Sequence, residues 1–356
     1  TMGNVMAYSG LTTKIRAMQA KLLTQADYET ISGFTDVVQV VEFLKTKPAY
    51  AVYMDQLELA HLHRGDIEKM LYQSLYNDYT RIFRFAGIDQ KKFLKIYWKK
   101  YEVSVINYCL RIVFNHYDKP YDLDYKKEFF DKYSKIRIDQ LVTAKNIDHL
   151  VDYLKNTEYY APLSRIRQSG ASTLADYELA LDLYYFSMMW KERKGNWDKK
   201  DKEMLTKELG AKIDLLNLQW IYRAKKYYHM LAPDIYTLLI PIQHKLSNQE
   251  FKDLVEAPSV EEFRRRLNET YYGKKYEFGE QVQIESIVNE CVEHILTIAY
   301  RNHPYSLASI QQYLFLKEEE IYKITTALEC IRYGLSQRET LQYLVQKQRR
   351  QGGNAS

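Results

Sequence analysis

Near the middle of the chain, a ten-residue stretch reads Asp214-Leu215-Leu216-Asn217-Leu218-Gln219-Trp220-Ile221-Tyr222-Arg223. Its apolar residues recur every three or four positions, which is typical of an amphipathic helix. Asp214 and Arg223 are separated by about 900° around such a helix, so they lie on opposite sides and cannot pair with each other. Arg223 instead continues the apolar stripe of Leu216 and Trp220. Because an unpaired buried charge is costly, Arg223 is expected to find an acceptor on a neighbouring element.

The same acid-led pattern occurs twice more, about 110 residues away on either side. Glu102 precedes Arg111 by the same spacing, whereas Glu320 is followed at that spacing by Glu329. Each acid is predicted to open its helix, and the period predicts a tandem repeat of three related units. The arginines are expected to tie helices together, with contact to a partner protein as the alternative.

Two further sequence landmarks recur with the same spacing of about 110 residues. In the first, an apolar helix end runs into Thr and Tyr, at Leu44, Thr46 and Tyr50, at Leu154, Thr157, Tyr159 and Tyr160, and at Leu267, Thr270, Tyr271 and Tyr272. In the second, a Glu is followed by an aliphatic residue, at Glu68 and Leu71, Glu178 and Leu181, and Glu285 and Val288. Landmarks that recur in one order favour repeated packing over repeated chemistry, since no second acid recurs beside these carboxylates.

Composition and periodicity together predict an all-α fold. The 356 residues include only 13 Gly and 7 Pro, and no run alternates polar and apolar residues as a half-buried strand would. One long helix is predicted from Leu57 to Phe85. Three helical repeats are predicted at 1–119, 120–234 and 235–346, followed by a disordered tail at 347–356.

Charge and cysteine usage exclude several classes of protein. A net charge of +5 is too small to imply a polyanionic partner. Cys109, Cys291 and Cys330 contain no CxxC pair, which disfavours a zinc ribbon or a thioredoxin-like centre. No apolar stretch is long enough to span a bilayer, and no signal peptide is expected. The 33 tyrosines are interpreted as amphipathic helix residues, with base stacking as the alternative.

The sequence offers no motif for catalysis or for cofactor binding. It lacks GxxxxGK[ST], GxGxxG, HExxH and GxSxG. His61 and His63 would lie about 200° apart on a helix, so they cannot share a metal ion. The basic and aromatic stretch from Lys91 to Lys100 fits a helix with a solvated lysine face, so no nucleic-acid partner is predicted. Catalytic, cofactor-binding and metal-ligating residues are therefore all predicted to be absent.

Several segments, taken in order, carry a resemblance to a known family. They are Tyr8 with Lys14-Ile15-Arg16-Ala17 and Leu22-Leu23; Phe43-Leu44-Lys45-Thr46 with Tyr50; Lys212-Ile213-Asp214-Leu215-Leu216-Asn217-Leu218 with Arg223; and Pro304-Tyr305-Ser306, Tyr313-Leu314, Lys317-Glu318, Glu320-Ile321 and Gly334-Leu335-Ser336. The chain resembles the C subunit of the archaeal and bacterial V-type (A/V-type) ATPases, a relative of the d subunit of the eukaryotic vacuolar ATPase. Lys323 and Glu329 depart from the family pattern, which has Asn and Arg there.

The resemblance implies a funnel-shaped protein of three related helical bundles that is not itself an enzyme and needs no cofactor. It implies one copy per complex, on the cytoplasmic face of the membrane, between the central shaft, made of the D and F subunits, and the membrane rotor ring. There it would couple ATP hydrolysis or synthesis to the transport of H⁺ or Na⁺. The alternative hypothesis is an unrelated all-helical scaffold for protein interactions.

Overall fold

A computed structural model of the chain describes residues 2–116, 122–279 and 284–344, except for the side chains of Met2, Asn4 and Glu285. Every regular element within these ranges is helical and none is a strand, which confirms the predicted all-α class. The predicted tail at 347–356, the predicted boundary at 119–120 and the side chain of Glu285 lie outside the described residues.

The helices follow one another closely along the chain. In order they are α1 (Met2–Gln19), α2 (Gln25–Ser32), α3 (Val37–Lys45), α4 (Ala51–Met54), α5 (Arg64–Phe85), α6 (Ile88–Tyr97), α7 (Lys99–Asn115), α8 (Asp124–Tyr133), α9 (Ile138–Leu141) and α10 (Ile147–Tyr153). They continue as α11 (Tyr160–Gln168), α12 (Leu174–Glu192), α13 (Lys199–Lys226), α14 (Ala232–Leu238), α15 (Asn248–Val255), α16 (Val260–Glu269), α17 (Tyr271–Lys275), α18 (Ile284–Asn302), α19 (Leu307–Arg332) and α20 (Gln337–Leu344).

Packing divides the chain into two compact units. Unit 1 comprises Thr1–Leu94 and Leu296–Lys347, and unit 2 is built on Lys95–Ile295. Unit 1 therefore joins segments from the two ends of the sequence, with α5 packed against α19 and α1 packed against both. The division into repeats at 1–119, 120–234 and 235–346 concerns sequence similarity and stays a prediction.

The core of unit 2 is organised around α13, the longest helix in the described part of the chain. Leu215, Leu218 and Ile221 of α13 are fully buried. They belong to one apolar cluster that also includes residues of α14, α15, α16 and the first turns of α18. The periodicity of the stretch 214–223 thus reflects a helix that is surrounded by other helices on most of its sides.

The long helix predicted from Leu57 begins later, at Arg64. A 3₁₀ turn at Leu59–His61 precedes it, and His63 is extended, with φ −113° and ψ 151°. The His63 N–H donates to Asp66 Oδ2 at 3.0 Å, which caps the new helix. The predicted start was wrong because apolar spacing continues through the turn, while the capping contact decides where the helix begins.

The threonines of the first landmark end their helices in the same way. The hydroxyls of Thr46, Thr157 and Thr270 each donate to the carbonyl oxygen three residues earlier, at 2.6, 2.7 and 2.6 Å. Each of these carbonyls also accepts the backbone N–H of the same threonine, so the hydroxyl adds a second donor at the helix end. The chain then turns, and the tyrosines that follow enter the interior, where Tyr50, Tyr159 and Tyr272 are fully buried.

The turn between α16 and α17 has no room for a side chain at Gly273. A Cβ there would lie 2.1 Å from the Leu267 carbonyl oxygen and 2.4 Å from Asn268 Cα. We expect Gly273→Ala to lower the free energy of unfolding by about 1–3 kcal/mol, because backbone must move to admit the methyl group.

The matched control is Gly10→Ala in α1, where a Cβ meets nothing within 4 Å. That change should stabilise the chain by about 0.5–1 kcal/mol, since alanine favours a helix interior over glycine. Urea denaturation followed by circular dichroism measures both variants. A Gly273→Ala protein as stable as the wild type would contradict the steric argument.

Candidate functional site

In unit 2, two of the predicted landmark acids accept hydrogen bonds from landmark tyrosines. The Tyr159 hydroxyl donates to Glu102 Oε2 at 2.7 Å, and the Tyr272 hydroxyl donates to Asp214 Oδ2 at 2.6 Å. Each bond joins a long helix to the turn that follows a threonine. Charge-assisted hydrogen bonds of this kind are stronger than neutral ones, so each pair fixes a helix against a turn.

Unit 1 contains the third tyrosine–carboxylate pair. The Tyr50 hydroxyl makes a short hydrogen bond to Glu320 Oε2, and the Leu23 backbone N–H donates to Glu320 Oε1 at 2.5 Å. Both oxygens of this buried carboxylate therefore have donors. The three pairs are compatible with the predicted tandem repeat, because each joins a tyrosine of the first landmark to an acid of the acid-led pattern.

The position of these acids within their helices differs from the prediction. Glu102 lies in the first turn of α7, but Asp214 and Glu320 lie well inside α13 and α19. A helix interior offers no free backbone N–H groups to a carboxylate, so its donors must come from other elements. The prediction that each acid opens a helix was wrong for Asp214 and Glu320.

Asp214 and Asn217 together hold an irregular segment that follows α14. Asp214 accepts the backbone N–H of His244 at 3.0 Å and of Lys245 at 2.7 Å. Asn217 donates from Nδ2 to the Ile240 carbonyl and accepts the Ile240 N–H through Oδ1, both at 2.9 Å. These bonds satisfy buried backbone groups that no helix or strand pairs. The spacing from Asp214 to Asn217 therefore places two polar side chains along one side of α13.

The pair in unit 1 extends into a buried ionic network. Lys317, with 1% of its side chain exposed, lies 3.8 Å from Glu320 Oε2 and 3.9 Å from Asp78 Oδ2. Its ammonium is also 4.1 Å from the centre of the Tyr50 ring. The Tyr313 hydroxyl donates to Asp78 Oδ2 at 2.5 Å. A buried lysine is tolerated only with such partners, so this network fixes α5 against α19.

Burial shifts the pKa of the landmark acids, of their tyrosine partners and of Lys317. Burial raises the pKa of Glu102, Asp214 and Glu320, and hydrogen bonds from the tyrosines partly offset it. Burial and the adjacent carboxylates raise the pKa of Tyr50, Tyr159, Tyr272 and Tyr313. Burial lowers the pKa of Lys317, against the pull of Glu320 and Asp78. The phenols therefore stay protonated and remain hydrogen-bond donors at neutral pH.

The two landmark arginines lie in different surroundings. Arg111 Nε donates to Glu178 Oε1 at 2.9 Å, which connects α7 to α12 through the second landmark. The Arg111 side chain is 61% exposed, so the pair contributes little to stability. The Arg223 guanidinium lies 5.2 Å from the centre of the Trp220 ring on its own helix. The expectation that Arg223 finds an acceptor on a neighbouring element stays a prediction.

In unit 1, Arg64 contacts two acids at landmark positions of the predicted repeats. Glu329 stands where the first two repeats have arginine, and Glu68 is the second-landmark acid of the first repeat. Arg64 contacts both, through Nη1 to Glu329 Oε1 and through Nε to Glu68 Oε1 at 2.5 Å. One guanidinium thus removes the repulsion between two acids. Arg64 was not predicted from the sequence, although its i, i+4 spacing from Glu68 is a recognisable signal.

An open cleft borders the buried network of unit 1. Its volume is about 260 Å³, and its lining comprises Met18, Lys21, Pro48, Ala49, Val52, Tyr53, Asp78, Arg81 and Tyr313. Arg81 Nη1 lies 3.4 Å from Asp78 Oδ1, and half of the Arg81 side chain is exposed. The cleft therefore presents cations to solvent beside an acid whose oxygens already have partners. This site was not predicted from the sequence, because its residues come from four separate segments.

Neither a metal-binding cluster nor a membrane-spanning helix occurs in the described ranges. Within 2–116, 122–279 and 284–344, no group of three or more His, Cys, Asp or Glu residues is arranged to hold a metal ion. In the same ranges, no helix combines the length and the apolar composition that crossing a bilayer requires.

Comparison with known proteins identifies one family. The family model described as ATP synthase (C/AC39) subunit matches residues 11–343. The C subunit of the A-type ATP synthase of Thermococcus kodakarensis is 24% identical over 340 residues, covering 92% of this chain and 87% of that protein. The corresponding A-type ATP synthase protein of Archaeoglobus fulgidus is 23% identical over 357 residues, covering 96% and 97%. That of Methanosarcina mazei is 22% identical over 336 residues, covering 92% and 90%.

The tyrosine–carboxylate pairs can be tested with one neighbouring control. We expect Tyr159→Phe to lower the free energy of unfolding by about 1–3 kcal/mol, because the half-buried Glu102 loses a donor while the ring is kept. Tyr160→Phe removes a hydroxyl that makes no hydrogen bond within the described residues, and should change stability by less than about 0.5 kcal/mol. Equal losses in urea denaturation would show that the hydroxyl of Tyr159 has no special role.

The region around Arg111 also contains an acid with an unusual pKa. Asp182 lies one turn after Glu178 on α12. Burial, with a smaller contribution from the charge of Glu178, raises the pKa of Asp182 from 3.8 to about 7, and Arg111 acts in the opposite direction. The folded chain therefore binds a proton at Asp182 over a pH range in which the unfolded chain has released it.

This difference predicts a pH dependence of stability. Since the folded state holds the extra proton, the free energy of unfolding should fall as pH rises from 3.8 to about 7. Asp182→Asn removes this contribution, so the variant should gain about 1–3 kcal/mol over the wild type between about pH 4 and about pH 8. Urea denaturation of both proteins at the two pH values measures the gain. Parallel pH profiles would contradict the buried, protonated Asp182.

Proposed function

This chain belongs to the ATP synthase (C/AC39) subunit family, and from that premise we propose that it is the central connector of a rotary V-type ATPase. The match over residues 11–343 confirms the resemblance seen in the sequence motifs, and it makes the chain a component of an ATP synthase complex. In the proposed role, the chain joins the central shaft, made of the D and F subunits, to the membrane rotor ring.

A connector of this kind has to transmit torque without deforming, and the tyrosine–carboxylate pairs support that role. In unit 2 they attach α7 and α13 to the turns that carry Tyr159 and Tyr272, and in unit 1 they attach α19 to the turn that carries Tyr50. Leaving a buried carboxylate without its donor costs about 1–3 kcal/mol of unfolding free energy. That cost is larger than the contribution of a contact between uncharged groups. Sliding of a helix would break such bonds, so each unit resists internal shear.

The proposed connector is non-catalytic. The side chains that the sequence marked, Glu102, Asp214, Asn217 and Glu320, are all engaged in holding helices and turns in place. ATP would be hydrolysed or made on other subunits, and H⁺ or Na⁺ would cross the membrane through others. The chain would act as one copy at the cytoplasmic face, peripheral to the bilayer. The alternative hypothesis of an unrelated scaffold loses its support, because the chain belongs to the ATP synthase (C/AC39) subunit family.

Reconstitution of the complex with and without this chain tests the proposal. We expect ATP-driven ion transport into vesicles to be lost without the chain, while the soluble head continues to hydrolyse ATP, because rotation no longer reaches the ring. Adding the purified chain back should restore transport.

Binding provides the control for that experiment. The purified chain should bind the D–F pair and the isolated ring in separate assays, since a connector needs both contacts. Coupled transport that persists without the chain, or a chain that binds neither partner, would overturn the connector role.

A further inference from the structure

The cleft of unit 1 carries an inference about which chemical group the chain receives from its partner. Three hydrogen-bond donors converge there from different elements. Lys21 follows α1, Tyr53 belongs to α4 and Arg81 belongs to α5. The walls between them are apolar, with Val52 70% exposed. Val52 thus places an apolar surface beside the exposed cations Lys21 and Arg81.

Two of these donors are available to a ligand. The ammonium of Lys21 makes no ion pair or hydrogen bond within the described ranges, and Lys21 is exposed. Tyr53 accepts a hydrogen bond from Asn77 Nδ2 at 2.8 Å, which leaves its own O–H free to donate. Burial raises the pKa of Tyr53, so the phenol keeps its proton.

The only acid in the lining does not compete for these donors. Asp78 Oδ2 accepts from Tyr313 and faces Lys317, and Asp78 Oδ1 faces Arg81. The Arg81 guanidinium makes this single contact at 3.4 Å, and its other N–H groups point to no other acid in the described chain. The cleft therefore offers donors and positive charge, and both carboxylate oxygens of its one lining acid already have partners. A carboxylate, which only accepts, is the complementary group.

We propose that this cleft receives an acidic side chain of the central shaft, held by Lys21, Arg81 and Tyr53. The proposal rests on the connector role and names the chemistry of one of its two contacts. A volume of about 260 Å³ admits one acidic side chain with its apolar neighbours. A shaft presents such a side chain once, whereas a ring presents the same loop many times, so a single cleft matches the shaft.

The test measures binding of the D–F shaft pair to the full-length chain at about 0.1 M salt. Lys21→Glu should raise the Kd about tenfold, because it replaces attraction by repulsion, and the loss should shrink at about 0.5 M salt. Tyr53→Phe should raise the Kd about threefold at either salt concentration, since it removes a neutral donor. Arg84→Glu is the matched control, because Arg84 is exposed on the same helix as Arg81 but does not line the cleft.

Each result decides between the two proposals. A wild-type chain that binds neither shaft nor ring refutes the connector role. A wild-type chain that binds the shaft, with Lys21→Glu no weaker than Arg84→Glu, refutes the cleft alone. Lys21→Glu that weakens the ring and spares the shaft overturns the choice of occupant. Because Lys21 has no described partner to lose, its substitution leaves folding intact, which circular dichroism verifies.

Discussion

The interior carboxylates of the long helices impose the main physical constraint on this chain. A carboxylate removed from water is unstable unless donors replace the lost hydration. Inside a helix the backbone N–H groups are already used, so the donors must arrive from elsewhere in the fold. Tyrosine fits this need because its ring adds to the apolar core while its hydroxyl supplies one donor. Each acid therefore determines where a distant turn has to lie.

The acids of the three pairs obtain their hydrogen-bond donors from different groups. Asp214 gains two backbone N–H groups besides its tyrosine, whereas Glu320 gains one backbone N–H and the buried ammonium of Lys317. Lys317 in turn needs Asp78, and Asp78 needs Tyr313. Glu320 thus belongs to a buried network that connects α5 and α19. The pairs share a geometry without being interchangeable, since removing one partner leaves a different set of groups unsatisfied in each.

The sequence predicted what periodicity controls and missed what tertiary contacts control. The all-α class and the importance of Asp214 and Asn217 were accessible, because helical spacing and an ordered set of motifs carry them. The partners of these residues follow α14 in an irregular segment that has no periodic signal. Tyr313 and Asp78 are 235 positions apart, and nothing local to either indicates the other. Helix starts were also hidden, since a capping contact at His63 overrides apolar spacing that continues through the turn.

The need of buried carboxylates for donors also explains why a partner would bind at the cleft of unit 1. The buried polar groups of the unit 1 network contact one another, so a partner that bound them would have to break bonds that hold the helices together. Lys21 has no partner within the described residues, and Arg81, which contacts Asp78 Oδ1, keeps half of its side chain exposed at the edge of the network. Binding at the cleft leaves the network intact, and it positions the partner beside the buried ion pairs that connect α5 and α19. A contact that is screened by salt can form and release, while the structure behind it stays fixed.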